Sequence, residues 1–314
     1  MLEYGKNHIQ KLQAAGRIGN SIVYSCALNK LREYAKRQEL TFDEIDYSYI
    51  DQFNTSLLAE GIKVNSISNY LRTIRSLFNK AIKERLIASD AYPFRDFTIK
   101  SEPTINRTLS IAEIANIANC SLMKDSPVWH YRNLFLLSYC LIGINFSDLL
   151  TLTEKNFMDE RVIFRRRKTN KVYSILIHPT AKELLSNYRL TNDYGPDRFV
   201  LPFVVNKNDS LLLKKDILQV IKTTNKYLGK IAYLCKINKS ITTYHARYSW
   251  ANVARVLGYS KDLIAEALGH EYGNKVTGIY LDNYGSEIID EMNARVIEAS
   301  FDTNLAKISR LKWT

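Results

Sequence analysis

The stretch ALGHEYGNKVTGIYLDNY, Ala267 to Tyr284, places His270 ten residues ahead of Tyr280. Upstream, TTYHARYSWANVA carries Arg247, and further back FRRRKTNK carries Arg166 and Lys168. Arginine, histidine and tyrosine together are the groups needed to attack a DNA phosphate with a side-chain oxygen. Arginine is permanently charged and grips phosphate oxygens in pairs. A tyrosine hydroxyl, with an ordinary pKa of about 10, becomes a nucleophile only when its surroundings assist it. Each residue alone says little. Tyr280 is one of 20 tyrosines, and most tyrosines pack with the hydroxyl at a surface. An isolated His270 reads as a hydrogen-bonded structural histidine, and an isolated Lys168 as a solvated turn lysine. Their order and spacing give them meaning.

Composition agrees with a polyanionic partner. The net charge is +12 over 314 residues, with 46% hydrophobic and 24% charged residues. Such a length favours two domains over one, and such a charge points to nucleic acid or an anionic membrane surface. The membrane reading is the weaker. No run approaches the roughly 18 apolar residues of a spanning helix, and Met1 opens no signal-peptide pattern. Cys26, Cys120, Cys140 and Cys235 are far apart in sequence and form no CxxC pair. That argues against structural zinc and a disulfide framework, and for reduced thiols in a cytoplasmic protein. The sequence has no HExxH pattern, Walker A loop or GxGxxG, so no metal, nucleotide or nicotinamide cofactor is expected.

The first hundred residues read as helices, most clearly Asn20–Arg37, Phe42–Leu58 and Asn65–Ile87. In the last, Ile67, Tyr70, Leu71, Ile74, Leu77, Phe78, Ala81 and Ile82 recur at helical spacing, which makes one apolar stripe. Arg72, Arg75, Lys80 and Lys83 lie mostly off that stripe. They form either a solvated face or a surface that follows DNA phosphates. Pro93 to Thr108 has prolines, mixed charge and no sustained period, and reads as a linker. The domain boundary is placed near residue 104, giving domains 1–103 and 104–314. Ser110 and Glu113 form a capping box that opens the next helix, and Leu134–Ile144 suits a buried core helix. The second domain is mainly helical, with one β-hairpin predicted over Arg161–Ile177 and broken at Thr169, Asn170 and Lys171. Helix resumes after Leu211, and Ile288–Leu311 is a helical tail.

These phrases resemble the tyrosine recombinases, or phage integrase family. The likeness is strongest to the integrases of Bacteroides-type mobile elements, in ALGH, GNKVTGIYLD and the arginine within ARYSWA. The resemblance runs through both parts of the chain. It implies a mainly α fold with a small β-sheet: a helical core-binding domain and a catalytic domain that clamp double-stranded DNA. It implies site-specific recombination through a 3′-phosphotyrosyl intermediate, by a tetramer on DNA, for a mobile element, with accessory DNA-bending proteins as further partners. The roles carried over are Tyr280 as nucleophile, Arg247 and His270 as phosphate ligands, and Lys168 as general acid. The tail from Ile288 is expected to pack on a neighbouring protomer. Relatives often carry an additional amino-terminal arm-binding domain.

Two departures stand out. The family's first-motif arginine position holds Asn145, within GINFSDLL. The family phrase HxLRH reads Tyr244-His245-Ala246-Arg247-Tyr248, so Tyr244 takes the first histidine position. His245 is one residue off, which on a helix is a turn of roughly 100°. Losing one preorganised transition-state donor typically costs on the order of 10²–10³ in rate. Residues two apart on a strand face the same way, so if Lys168 faces the phosphate then Arg166 does too, with Arg165 and Arg167 facing away. Arg166 is therefore the candidate for the missing charge; alternatively Arg165, Arg166 and Arg167 all grip the DNA backbone. Asp148 is read either as orienting Arg247 or a neighbour, or as a helix cap. Two other functions fit the same residues: a catalytically impaired DNA-binding regulator, and a type IB topoisomerase.

Overall fold

The structure is a computed structural model and describes residues 1–103, 107–189, 197–270 and 285–301. Tyr280, with the rest of 271–284, lies outside the described residues, as does the end of the tail, 302–314. The chain divides into two compact units, Met1–Ile105 and Asn106–Thr314.

The first unit holds α1 (Leu2–Ala14), α2 (Ile18–Ala35), α3 (Tyr47–Ala59) and α4 (Val64–Lys83). The stripe of α4 supplies its core: Ile67, Leu71, Ile74, Leu77, Phe78 and Ala81 are all buried. The helix expected from Phe42 begins later. Asp46 caps α3 by accepting the Tyr49 N–H at 2.8 Å, while Phe42 packs edge-on against Phe78 with ring centroids 4.9 Å apart. The α4 helix stops at Lys83, four residues short of the expected end. The predicted linker is not free over its first ten residues. Phe94 is buried in this unit's core. Asn65 pairs with the Glu102 backbone in both directions, donating to its carbonyl at 2.9 Å and accepting its N–H at 3.0 Å. Aromatic anchors and a two-way amide pair thus hold residues that lack any helical or strand period.

The second unit contains α5 (Ile111–Ala118), α6 (Pro127–Cys140), α7 (Phe146–Leu149), β1 (Phe157–Met158), β2 (Arg161–Arg165) and β3 (Val172–Leu176). These are followed by α8 (Pro179–Arg189), α9 (Ser210–Leu234), α10 (Tyr244–Val256), α11 (Lys261–Ala267) and α12 (Ser286–Phe301). The Ser110–Glu113 capping box forms in full at the start of α5. The strands make one antiparallel sheet in the order β1-β2-β3, with Val162 opposite Ile175 and Phe164 opposite Tyr173. On this inner face Phe164 and Tyr173 stack, 5.1 Å between centroids and 13° between planes.

The core joins α6, α10 and α12. Fully buried Trp250 donates its indole N–H to Asn293 at 2.8 Å, and Asn293 donates to the Cys140 carbonyl at 3.0 Å. A polar link of this kind fixes register, because a slip would strand buried donors. The sheet is tied to α12 by Arg161, whose guanidinium takes both oxygens of Asp290 at 2.7 and 3.1 Å. Over Ser286–Phe301 the tail packs one face on its own unit. Met292, Val296 and Ile297 are buried in their own unit's core, because their spacing presents one apolar face to α5, α6 and α10. Folding also brings Cys235 against Cys120, despite their distance in sequence. Burial and the hydrogen bond with Cys120 push the Cys235 thiol up to about 12.

Candidate functional site

Arg247 sits in the first turns of α10, one helical turn after Tyr244. Its guanidinium donates to the Gly143 carbonyl at 3.1 Å and to the Leu268 carbonyl at 2.5 Å. Two carbonyls from two different loops fix the plane of the group. Burial, and then the positive charge of Arg166, lower its pKa from the ordinary arginine value. Arg247 and Arg166 are therefore close enough to repel each other, a repulsion that a bound anion would relieve.

The Gly143 loop makes this approach possible. After α6 the chain turns through Ile142 (φ 55°) and Gly143 (φ 61°). A Cβ on Gly143 would fall 2.4 Å from the Arg247 Cα, so only glycine lets the two backbones meet. Two residues on, Asn145 accepts the Ser147 N–H at 3.0 Å and caps the four-residue α7. The position where the family resemblance calls for arginine thus holds a neutral helix cap.

His270 follows α11. The helix ends in a left-handed Gly269 (φ 65°), with the Gly269 N–H on the Glu266 carbonyl and the His270 N–H on the Ala265 carbonyl. These reversed bonds are a glycine C-cap, and they turn His270 toward α10. Its Nε2 lies 3.5 Å from Nη2 of Arg247. A guanidinium has no acceptor, so Arg247 can only be the donor in this long contact. Partial burial, followed by Arg247, Arg166, Lys168 and Lys171, holds the imidazole below its ordinary pKa. One histidine thereby registers four cations from two elements.

The hairpin brings three of those cations. The strand β2 ends at Arg165, and Lys168 lies in the turn that follows, so strand alternation does not reach it. Arg166 and Lys171 close the turn: the Arg166 N–H donates to the Lys171 carbonyl, and the Asn170 N–H to the Arg166 carbonyl, both at 2.8 Å. Asn170 takes the left-handed conformation the turn needs (φ 61°). Alternation does hold as far as Arg166. Val162 and Phe164 are buried and Arg166 is half-buried on the same face, whereas Arg165 is exposed and braces the turn through the Asn170 carbonyl at 2.9 Å. Arg167 is exposed, and its backbone N–H donates to Asp148 at 3.2 Å. Asp148, 7% exposed, is the carboxylate of the cluster. Burial raises its pKa, against the opposing pull of Arg166, Arg167 and Arg247. It holds the hairpin turn by the backbone and balances the arginines by charge.

Tyr244 is 51% exposed at the start of α10, one helical turn before Arg247. His245 goes elsewhere. It is buried, its Nδ1 accepts the Thr242 N–H at 3.1 Å, and after burial it is lowered by Arg107. In the first unit, Arg72 and Lys83 are exposed on α4, and Arg75 and Lys80 are half-buried. The structure therefore gathers Arg247, His270, Arg166, Lys168 and Tyr244, while Tyr280 lies outside the described residues. Motif reading passed over Tyr173, Lys171 and the two glycines. The glycines stood inside quoted phrases, and their neighbours in space are what reveal their use. Among the described residues no helix is long and apolar enough to cross a membrane.

Comparison with known proteins bears on the fold. Residues 1–100 match the phage integrase SAM-like domain. Tyrosine recombinase XerD of Staphylococcus haemolyticus (strain JCSC1435) is 24% identical over 262 residues, spanning 79% of this chain and 82% of that protein. A lambda integrase fragment, solved as a dimer bound to a COC′ core site, superposes with a TM-score of 0.62 at 16% identity, covering 90% of this chain and 98% of that one. XerH site-specific recombinase, in a pre-cleavage complex with difH, gives 0.61 at 18% identity, covering 96% of this chain and 84% of that one. A lambda integrase tetramer bound to a Holliday junction gives 0.62 at 17% identity, covering 88% and 76%. The fold is the two-domain, mostly helical fold of these enzymes, with its small three-stranded sheet.

Proposed function

We propose that this chain, whose domain match and XerD relatives support membership of the tyrosine recombinase family, is a site-specific DNA recombinase that works through a 3′-phosphotyrosyl intermediate. The observation that carries the reading is the meeting of Arg247 with His270 at 3.5 Å beside the hairpin of Arg166, Lys168 and Lys171, which touches the segment before His270 through Tyr173 and Lys171; all four cations hold the imidazole below its ordinary pKa. A cluster of cations around one neutral imidazole suits a phosphodiester whose transition state gathers negative charge. In this reading Tyr280 attacks the scissile phosphate and expels the 5′ oxygen. Arg247 and His270 hold the non-bridging oxygens, and Arg166 supplies the charge that Asn145 lacks. Lys168 hands a proton to the leaving oxygen, and Tyr244 flanks Arg247. The phosphotyrosyl bond conserves the energy of the phosphodiester, so rejoining needs no nucleotide.

The finer reading is an integrase of a mobile element, of the Bacteroides type, acting in the cytoplasm as a tetramer on double-stranded DNA with accessory DNA-bending proteins. The cations Arg72, Arg75, Lys80 and Lys83 of α4, with Arg165 and Arg167 of the hairpin, would contact DNA phosphates. Asn145 favours one other reading, a DNA-binding regulator that has lost cleavage.

A nicked suicide duplex separates these readings. Sites are first recovered from a random-sequence duplex pool by binding. Wild-type protein should then form an SDS-resistant adduct that Tyr280→Phe does not form. Binding without any adduct would establish the regulator instead. Relaxation of supercoils without sequence preference would point to a type IB topoisomerase.

A further inference from the structure

Tyr173 has no place in the chemistry above, yet it stands where the site's two halves meet. It lies on β3, and its ring is stacked on Phe164. Its hydroxyl donates to the Leu268 carbonyl at 2.7 Å. That carbonyl is the one Arg247 also uses, at 2.5 Å. One oxygen, two residues before His270, therefore receives the phosphate-gripping arginine from α10 and a phenol from the lysine hairpin.

Gly269 shows how closely the contact is built. A Cβ there would meet the Tyr173 Oη at 1.8 Å and its Cζ at 2.6 Å. The glycine before His270 thus meets two demands: a left-handed C-cap (φ 65°) and room for a tyrosine from another element. Just before the strand, Lys171, whose Cδ would lie 3.4 Å from the same Cβ, closes the turn that carries Lys168.

We propose that Tyr173 is a positioning residue that locks the lysine hairpin to the Arg247–His270 pair through the shared Leu268 carbonyl. The hydroxyl holds the Leu268–His270 segment close to the hairpin, so that Lys168 and Lys171 reach the histidine. When the hairpin lifts, the segment loses one of its two donors, and His270 moves out of the cation field. The lock ties delivery of the general acid to seating of the phosphate ligands. It rests on the recombinase reading for its purpose, though not for its geometry.

The test is Tyr173→Phe in the full chain. The ring remains to stack on Phe164, so the sheet is kept and only the donor is removed. His270 is followed by NMR titration of the free protein, its signal assigned by its loss in His270→Gln. The expected result is a His270 midpoint that rises toward the ordinary 6.5, because the segment relaxes away from the cations. Adduct formation should fall about 10-fold, the effect of roughly one hydrogen bond, with DNA affinity unchanged. An unmoved His270 midpoint, or DNA affinity lost in step with adduct, overturns the lock. If the midpoint rises but neither wild type nor variant forms an adduct, the lock stands and the recombinase reading falls.

Discussion

The carbonyl of Gly143 accepts from Arg247 at 3.1 Å, and the backbones of the two residues are so close that a Cβ on Gly143 would lie 2.4 Å from the Arg247 Cα. The contact is backbone on backbone, so no side chain can swing away to relieve it. Gly143→Ala also places a Cβ at φ 61°. Overpacking and a left-handed non-glycine residue each cost about 1–3 kcal/mol. The expected result is a loss of about 3 kcal/mol, or roughly 6–12 °C in Tm for a unit of this size. Adduct formation should fall further than stability explains, since the guanidinium is displaced. Differential scanning calorimetry and the suicide-substrate assay check the two effects. A variant with wild-type Tm would show that the loop yields freely.

The three arginines of FRRRK should separate by experiment. Arg166 is half-buried and lowers the pKa of Arg247, while Arg165 is exposed and braced on Asn170. Arg166→Ala is expected to lower the adduct rate by on the order of 10²–10³, as when one transition-state donor is removed. Arg165→Ala should weaken binding to all sequences alike and reduce the salt slope of log K by about 1. Asn145→Arg tests the exchange from the other side. It removes a helix cap worth about 1 kcal/mol, and in the Arg166→Ala background it should restore part of the lost rate. Equal adduct rates for Arg166→Ala and Arg165→Ala would reduce Arg166 to a backbone contact.

What could be read from the sequence follows from what is local. The α4 stripe, the Ser110–Glu113 cap and the hairpin are set by period and by neighbours a few residues away, and all three form. The sidedness of Arg166 could be read because it continues β2 by one residue, whereas Lys168 lay past the strand's end and outside that rule. The docking of residues 94–103 could not be read, because Phe94 and the Asn65–Glu102 amide pair act across distant sequence. Nor could the fate of the tail: an apolar helical face announces burial but not against what, and the partners of Asn293, Trp250 and the Cys140 carbonyl, lie on distant helices. Tyr173 was invisible for the same reason, since its partner is a backbone carbonyl on another element.

That packing of α12 gives its own prediction. Asp290 is 10% exposed in its side chain; it receives both Arg161 nitrogens and the Leu176 N–H at 3.2 Å. Asp290→Ala takes both carboxylate contacts from Arg161, leaving it only the Ser174 hydroxyl and carbonyl, and removes the acceptor of the Leu176 N–H. Breaking such a pair costs about 3 kcal/mol, so the midpoint of chemical unfolding should drop with the slope unchanged. If this stretch of the tail instead served a neighbouring protomer, the change would reduce assembly on DNA and leave the monomer's stability intact. Unfolding in the absence of DNA, followed by sizing of the DNA complex, distinguishes the two.

The pH response of His270 follows from the sign of its shift. Partial burial comes first; Arg247 on α10 and Arg166, Lys168 and Lys171 on the hairpin then lower its pKa in the folded chain. Above about 6.5 the imidazole is neutral in both folded and unfolded states, and pH has no leverage. As pH falls through that value the unfolded chain takes up its proton first, so stability declines until the folded value is passed. His8, His178 and His245 are lowered as well, each chiefly by burial, so a bulk stability curve cannot isolate His270. Residue-specific NMR can. The expected result is a midpoint below the ordinary value in free protein that climbs when a duplex is bound, because a phosphate offsets the four cations. Adduct rates governed by neutral His270 should stay flat from pH 8 down to about 6.5. A midpoint at or above the ordinary value without DNA would mean that the hairpin and the arginine do not converge on this histidine in solution.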